Sequence, residues 1–109
     1  MFVPDQGDVV IFSFDPSTGK EVMKRRPAVV ISKKIFNEHT GFAVVAPVTS
    51  TIRNMRLEVI LPSQLETKGA VMVHQMKSLD FGDRKASFVE RLPVATIKEV
   101  LSLAQAIVS

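Results

Sequence analysis

The chain has 109 residues, 46% of them hydrophobic and 23% charged, and a formal net charge of +3. That is one globular domain's worth of chain, residues 1–109, and too apolar to stay disordered. With no Cys there is no disulfide framework, thiolate metal site or Cys nucleophile, and with no Trp or Tyr the core falls to Phe, Val, Ile and Leu.

Asp8 to Phe14 (DVVIFSF) is rich in β-branched and aromatic residues and predicts a strand. Asp15, Pro16, Ser17, Thr18 and Gly19 are turn formers, opening a loop that runs to about Arg25. Arg26 to Ser32 predicts a second strand, whose continuous apolar middle implies burial on both faces. Lys33 to His39 suits one short helical turn before Thr40 and Gly41. Gly41 to Ala46 predicts a third strand, and Pro47, which cannot donate a ladder hydrogen bond, marks a bend, a bulge or an edge. Thr49 to Met55 is polar and reads as a loop. Arg56 to Leu61 and Gly69 to Met76 predict two more strands, and Arg84 to Glu90 another.

The end of the chain changes period. Pro93 suits a first helical turn, and Val94, Ile97, Val100, Leu101, Ala104 and Val108 then recur at helical spacing. The prediction is an amphipathic helix of about four turns lying over a small, mainly β barrel or sandwich.

The opening MFVPDQGD has no basic region followed by an apolar run, and no segment has the length of a membrane span. A cytoplasmic protein without a membrane anchor is expected. The charge is uneven: residues 1 to 56 hold eight Lys/Arg against five Asp/Glu, and residues 57 to 109 hold six of each. A basic first half suits an anionic partner such as nucleic acid or an acidic protein segment.

The two histidines, His39 and His74, are too few for a conventional zinc site, and neither a phosphate-binding glycine loop nor a Gly-x-Ser-x-Gly elbow is present. No metal or cofactor is expected. The remaining candidates are cations, hydroxyls and amides near strand ends. Arg25 and Arg26 precede a strand, and Pro27 disfavours the helical conformation for Arg26. Thr49, Ser50 and Thr51 follow another strand, Arg53 and Arg56 flank Asn54, and His74, Gln75, Lys77 and Ser78 lie on or after a fifth. Taken singly, each reads more simply as structure: Arg26 as a solvated strand flank, Thr-Ser-Thr as a turn, His74 as a packed or surface histidine.

Taken in order they form a pattern. Gly7-Asp8, Phe14-Asp15-Pro16 with Gly19, Glu21, Arg26-Pro27-Ala28-Val29-Val30, Pro47-Val48-Thr49-Ser50, and Val73-His74-Gln75-Met76-Lys77-Ser78 with Asp80 run the length of the chain. In this the sequence resembles the MazF/PemK/Kid family of toxin endoribonucleases from toxin–antitoxin modules. The resemblance implies an SH3-like barrel of the CcdB/PemK type with a C-terminal helix, working as a homodimer. It implies metal-independent, sequence-specific cleavage of single-stranded RNA to 2′,3′-cyclic phosphate and 5′-hydroxyl ends, and inhibition by a cognate antitoxin with an acidic tail.

The resemblance also assigns roles. Arg26 matches the family's catalytic arginine, suited to gripping the phosphate, and Thr49 its threonine. Glu21 matches a glutamate implicated in some members, either as a base or as the group that orients Arg26. His74 stands where several members have a carboxylate and is suited to acid–base work, and Met72 stands where Kid-type members carry an arginine. Lys20, Lys24, Arg25, Ser50, Arg53, Asn54, Arg56, Gln75, Lys77 and Ser78 are the expected RNA contacts. Two other readings share the barrel: a CcdB-like poison of DNA gyrase, and a catalytically silent RNA-binding barrel.

Overall fold

Three strands form the centre of an antiparallel sheet: β1 (Asp8–Ser13), β2 (Arg25–Val30) and β3 (Phe42–Thr49). The structure is a computed structural model that describes residues 2–13, 25–53 and 56–109. Around the centre stand β4 (Glu58–Ile60), β5 (Ala70–Met72), β6 (Lys77–Asp80) and β7 (Ser87–Arg91). Helix α1 (Lys34–Thr40) links β2 to β3, and α2 (Val94–Val108) follows β7.

β3 is the hub. One of its edges pairs with β2; the other pairs first with β6, over Phe42–Val45, and then with β5, at Val48 and Thr49. Pro47 falls between those two partners, so the strand tolerates its missing N–H and runs on through Thr49. In the row β7-β1-β2-β3-β6 the two end strands are consecutive in the chain. Its two ends are joined by a turn in which the Ala86 N–H donates to the Phe81 carbonyl at 3.1 Å, and the Ser13 N–H donates to Arg84 at 3.2 Å. Strands so joined enclose a small barrel.

Side-chain alternation then sorts two cores. Val10, Phe12, Ala28, Val30, Ala43, Val45, Leu79 and Phe81 fill the barrel. Val9, Val29, Ile31, Ala46 and Val48 face outward and are covered by β4, β5 and α2. The apolar run of β2 is therefore buried on both faces, as its composition predicts: Ala28 and Val30 point in, and Val29 points out toward α2.

Gly7-Asp8 has a structural reason. Gly7 sits at φ +94°, donates its N–H to Val30 and accepts from Leu92, tying β1's start to β2's end and to the start of α2. The buried Asp8 carboxylate takes the Asp5 N–H at 2.9 Å and Arg91 at 3.1 Å.

Several elements differ from the sequence expectation. The predicted strand Gly69–Met76 stops at Met72, and Val73–Gln75 is a 3₁₀ turn. There the chain leaves β4 and β3's far half for β3's near half, a change of partner that a straight strand cannot make. β6 was not expected, and Arg56–Leu61 shrinks to Glu58–Ile60. Arg84–Ala86 belong to the barrel-closing turn, so the last strand begins at Ser87. The Lys33–His39 stretch forms a fuller helix than one turn, Lys34–Thr40, because buried Asn37 binds the Pro4 carbonyl at 2.8 Å and ties it to the barrel. In α2 the middle anchors the helix: Val100 is 1% exposed, whereas the predicted apolar positions Val94 and Val108 are 67% and 72% exposed.

The loop from β4 to β5 is fastened to β7. The Glu90 carboxylate accepts the Glu66 N–H at 3.1 Å, the Thr67 N–H at 2.7 Å and the Thr67 hydroxyl at 2.6 Å. Partial burial pushes Glu90 up, but the Thr67 hydroxyl, the two amides and the Lys68 charge together outweigh it and hold the carboxyl below the ordinary range. A depressed carboxylate stabilises the fold fully above its unfolded value, about 4.3, and loses that contribution as pH falls through the lower folded value. In an NMR pH titration the Glu66 and Thr67 amides are therefore expected to shift together, with a midpoint below that of an ordinary glutamate. In Thr67→Val the midpoint should rise.

Candidate active site

The β2–β3 register pairs Val30 with Val45, Val29 with Ala46 and Ala28 with Pro47. Carried two residues further, it sets Arg26 across from Thr49. Both continue the rows that line the barrel interior, Ala28 and Val30 on β2 and Val45 on β3, and so both emerge at the same barrel mouth. Arg26 is exposed there and Thr49 is half-buried. The Thr49 hydroxyl oxygen accepts the Thr51 N–H at 3.1 Å, which orients the hydroxyl so that its own hydrogen donates elsewhere.

His74 and Gln75 are exposed on the 3₁₀ turn. The turn lies between Val71, paired with Val48, and Lys77, paired with Val45, so it flanks β3 beside Ala46 and Pro47. Thr49 is two to three residues further along, roughly 7–10 Å at a strand's rise per residue. Arg26 on one side of β3, Thr49 on it and His74-Gln75 on the other thus share one end of the barrel.

The remaining candidates divide. Ser50 and Thr51 are exposed directly after β3. Arg53 is exposed, and its N–H donates to Glu58 at 3.1 Å, pinning the loop to β4. Arg56 is exposed in the turn that enters β4, and Lys77 is exposed at the start of β6. Ser78 alternates with the inward Leu79 and so faces outward. It lines an open cleft of about 530 Å³ with Ser13, Phe42, Asp80, Asp83, Arg84 and Lys85. Lys20, Glu21, Lys24 and Asn54 lie outside the described residues.

Arg25 differs sharply from its neighbour. Its guanidinium donates to the Ser13 hydroxyl at 3.1 Å and to the carbonyls of Ile11 at 3.2 Å and Lys85 at 2.7 Å. It braces β1 against the barrel-closing turn. Sequence reasoning also did not find what supports Thr49 from behind, where Gly69 leads into β5; the only local signal was a glycine ahead of a strand. Among the described residues no three histidine or carboxylate side chains converge as a metal cage requires.

An exposed guanidinium opposite a hydroxyl donor, with further cations on the flanking loop and strand, is an arrangement that holds a phosphodiester. His74, on the turn that flanks β3, adds an imidazole, a side chain able to move a proton.

Comparisons with known proteins bear on the chain's family and fold. Residues 5–108 match the family model described as PemK-like, MazF-like toxin of type II toxin–antitoxin system. The chain is 37% identical over 86 residues to the endoribonuclease toxin MazF of Escherichia coli K12, covering 79% of this chain and 77% of that protein. It is 32% identical over 101 residues to the Escherichia coli endoribonuclease PemK, covering 89% and 76%. Its fold superposes on MazF in a MazE–MazF crystal structure from Deinococcus radiodurans with a TM-score of 0.93 at 34% identity, covering 99% of this chain and 97% of that one.

Proposed function

The chain belongs to the PemK-like, MazF-like toxin family of type II toxin–antitoxin systems, and from that premise we propose that it is an endoribonuclease acting on single-stranded RNA from the barrel mouth. The observation that supports the reading is the β2–β3 register, paired as far as Ala28 and Pro47, which extended by two residues brings Arg26 and Thr49 to the same end of the sheet.

In the proposed reaction the ribose 2′-oxygen attacks the adjacent phosphorus, the P–O5′ bond breaks, and the 2′,3′-cyclic phosphate and a 5′-hydroxyl result. The proton of the 2′-hydroxyl leaves to a base, and one is delivered to the departing 5′-oxygen. Arg26 offers its fork to the non-bridging oxygens, where negative charge grows, and the Thr49 hydroxyl adds a second donor. A guanidinium does not give up its proton readily, so Arg26 is assigned charge stabilisation. His74 is assigned the proton transfer.

Arg53, Arg56 and Lys77 extend the positive field along the strand that the RNA would follow, and Gln75 is placed to read a base edge. The same cations suit the acidic tail of an antitoxin, a partner of the kind seen with MazF in the Deinococcus radiodurans complex. A homodimer and a cytoplasmic location complete the proposal; no helix among the described residues is long and apolar enough to cross a membrane.

The test is incubation of the purified protein with a long single-stranded RNA in EDTA, followed by mapping of the ends. Discrete cuts ending in cyclic phosphate and 5′-hydroxyl are expected. Intact RNA, together with trapped gyrase–DNA cleavage complexes, would transfer the protein to the gyrase-poison reading.

A further inference from the structure

We propose that the loop between β4 and β5 is a positioning device for Thr49, acting through Gly69 and fastened by Glu90 and Thr67. The proposal rests on the reading that Thr49 serves the cleaved phosphate, and it adds residues that touch no substrate.

Gly69 is pressed directly against the Thr49–Ser50 peptide. A Cβ at this position would stand 2.0 Å from the Thr49 carbonyl oxygen, 2.9 Å from its carbon and 3.2 Å from the Ser50 Cα. These are backbone atoms, with no flexible end to swing aside. Gly69 also sits at φ +119°, a conformation that side-chain-bearing residues rarely adopt. The glycine cannot easily withdraw, because its carbonyl accepts the Leu61 N–H at 2.9 Å and the next residue, Ala70, pairs with Thr49 on one side and Ile60 on the other.

Upstream, the loop is tied to β7 and braced across itself. Glu90 binds the Glu66 and Thr67 amides and the Thr67 hydroxyl, and Lys68 donates to the Ser63 carbonyl. The loop therefore forms a fixed backstop running from β7 to the peptide that carries the Thr49 hydroxyl. Strand pairing with β5 ends at Thr49, and among the described residues 50–53 none has a ladder partner. The backstop acts where the sheet no longer fixes the backbone. A contact of 2.0 Å is more than 1 Å inside an ordinary carbon–oxygen approach, so any side chain at position 69 displaces the Thr49 peptide by about that distance. A 1 Å misplacement of a reacting group costs on the order of a hundredfold in rate.

The test compares Gly69→Ala, Thr67→Val, Thr67→Ser and Thr49→Val in the full chain, by steady-state cleavage of an RNA, RNA affinity and thermal unfolding. Gly69→Ala is expected to lower kcat on the order of a hundredfold while KM and RNA affinity stay near wild type. Thr67→Val should lose part of kcat, and Thr67→Ser, which keeps the hydroxyl for Glu90, should restore it. A folded Gly69→Ala that cleaves at the wild-type rate overturns the proposal. If Gly69→Ala does not fold, the Thr67 pair decides: loss with Val and recovery with Ser supports the device, and wild-type cleavage by Thr67→Val overturns it. Thr49→Val separates the two levels of the claim. If Thr49→Val cleaves normally, the role of Thr49 falls and takes the proposal with it; if it is inactive while Gly69→Ala and Thr67→Val are not, only the positioning role falls.

Discussion

Arg26→Ala is expected to slow RNA cleavage a hundredfold or more, the scale on which a single donor to the charge of a transition state acts. Arg26 stands exposed at the start of β2, held extended by the strand and by Pro27, two residues beyond the Ala28–Pro47 pair, as Thr49 is on β3. Its contribution should grow as the phosphate gains charge, so kcat should fall more than RNA affinity. Arg26→Lys is expected to recover only part of the rate, because an ammonium keeps the charge but loses the two-pronged fork. The neighbouring arginine supplies the control. Arg25→Ala removes the brace between β1, the Ser13 hydroxyl and the Lys85 carbonyl, so its effect should appear in thermal stability. Equal loss of kcat in both variants, with both proteins folded, would remove the distinction between them, and an unaffected rate in Arg26→Ala would remove it from the mechanism.

That distinction marks where sequence reading stops. The cluster Lys24-Arg25-Arg26 is visible in the chain, and alternation says that two adjacent arginines face opposite ways. Which of them reaches the mouth depends on the register with β1 and β3, a non-local quantity. Local signals served well where one period persisted: the apolar middle of β2 and the helix after Pro93 are both present as read. They failed where the chain changes partner within a few residues. Val71, Met72 and Val73 are all apolar, so nothing local shows that Met72 is the last strand residue and Val73 begins a turn. β6 has four residues and only Leu79 buried, too little pattern to see. The site shows the same division. Arg26, Thr49 and His74 carry chemistry in their side chains and can be suspected from the sequence. Gly69 acts by having no side chain, and its use is apparent only once Thr49 lies against it.

His74→Ala is expected to cost about a hundredfold or more in cleavage rate, the contribution typical of a positioned acid or base, and to change the pH–rate profile near neutrality. Arg26 cannot carry the proton, because guanidinium is effectively always protonated, and the Thr49 hydroxyl is a donor with no useful titration. Gln75 does not titrate, and Met72, at the position where Kid-type members carry an arginine, is buried and apolar. The exposed imidazole on the 3₁₀ turn, beside Ala46 and Pro47, is the group to which the proton transfer is assigned. The pH profile, more than the rate, decides the matter. Loss of one limb in His74→Ala, with the limb retained in Gln75→Ala, assigns the proton to the imidazole. An unchanged profile would instead leave Glu21 as the acceptor, with His74 contributing contact alone. His74→Asp then becomes informative: the carboxylate restores the residue type that several relatives of this family carry there, and rescue with the limb moved to lower pH would show that position 74 handles the proton whichever group occupies it.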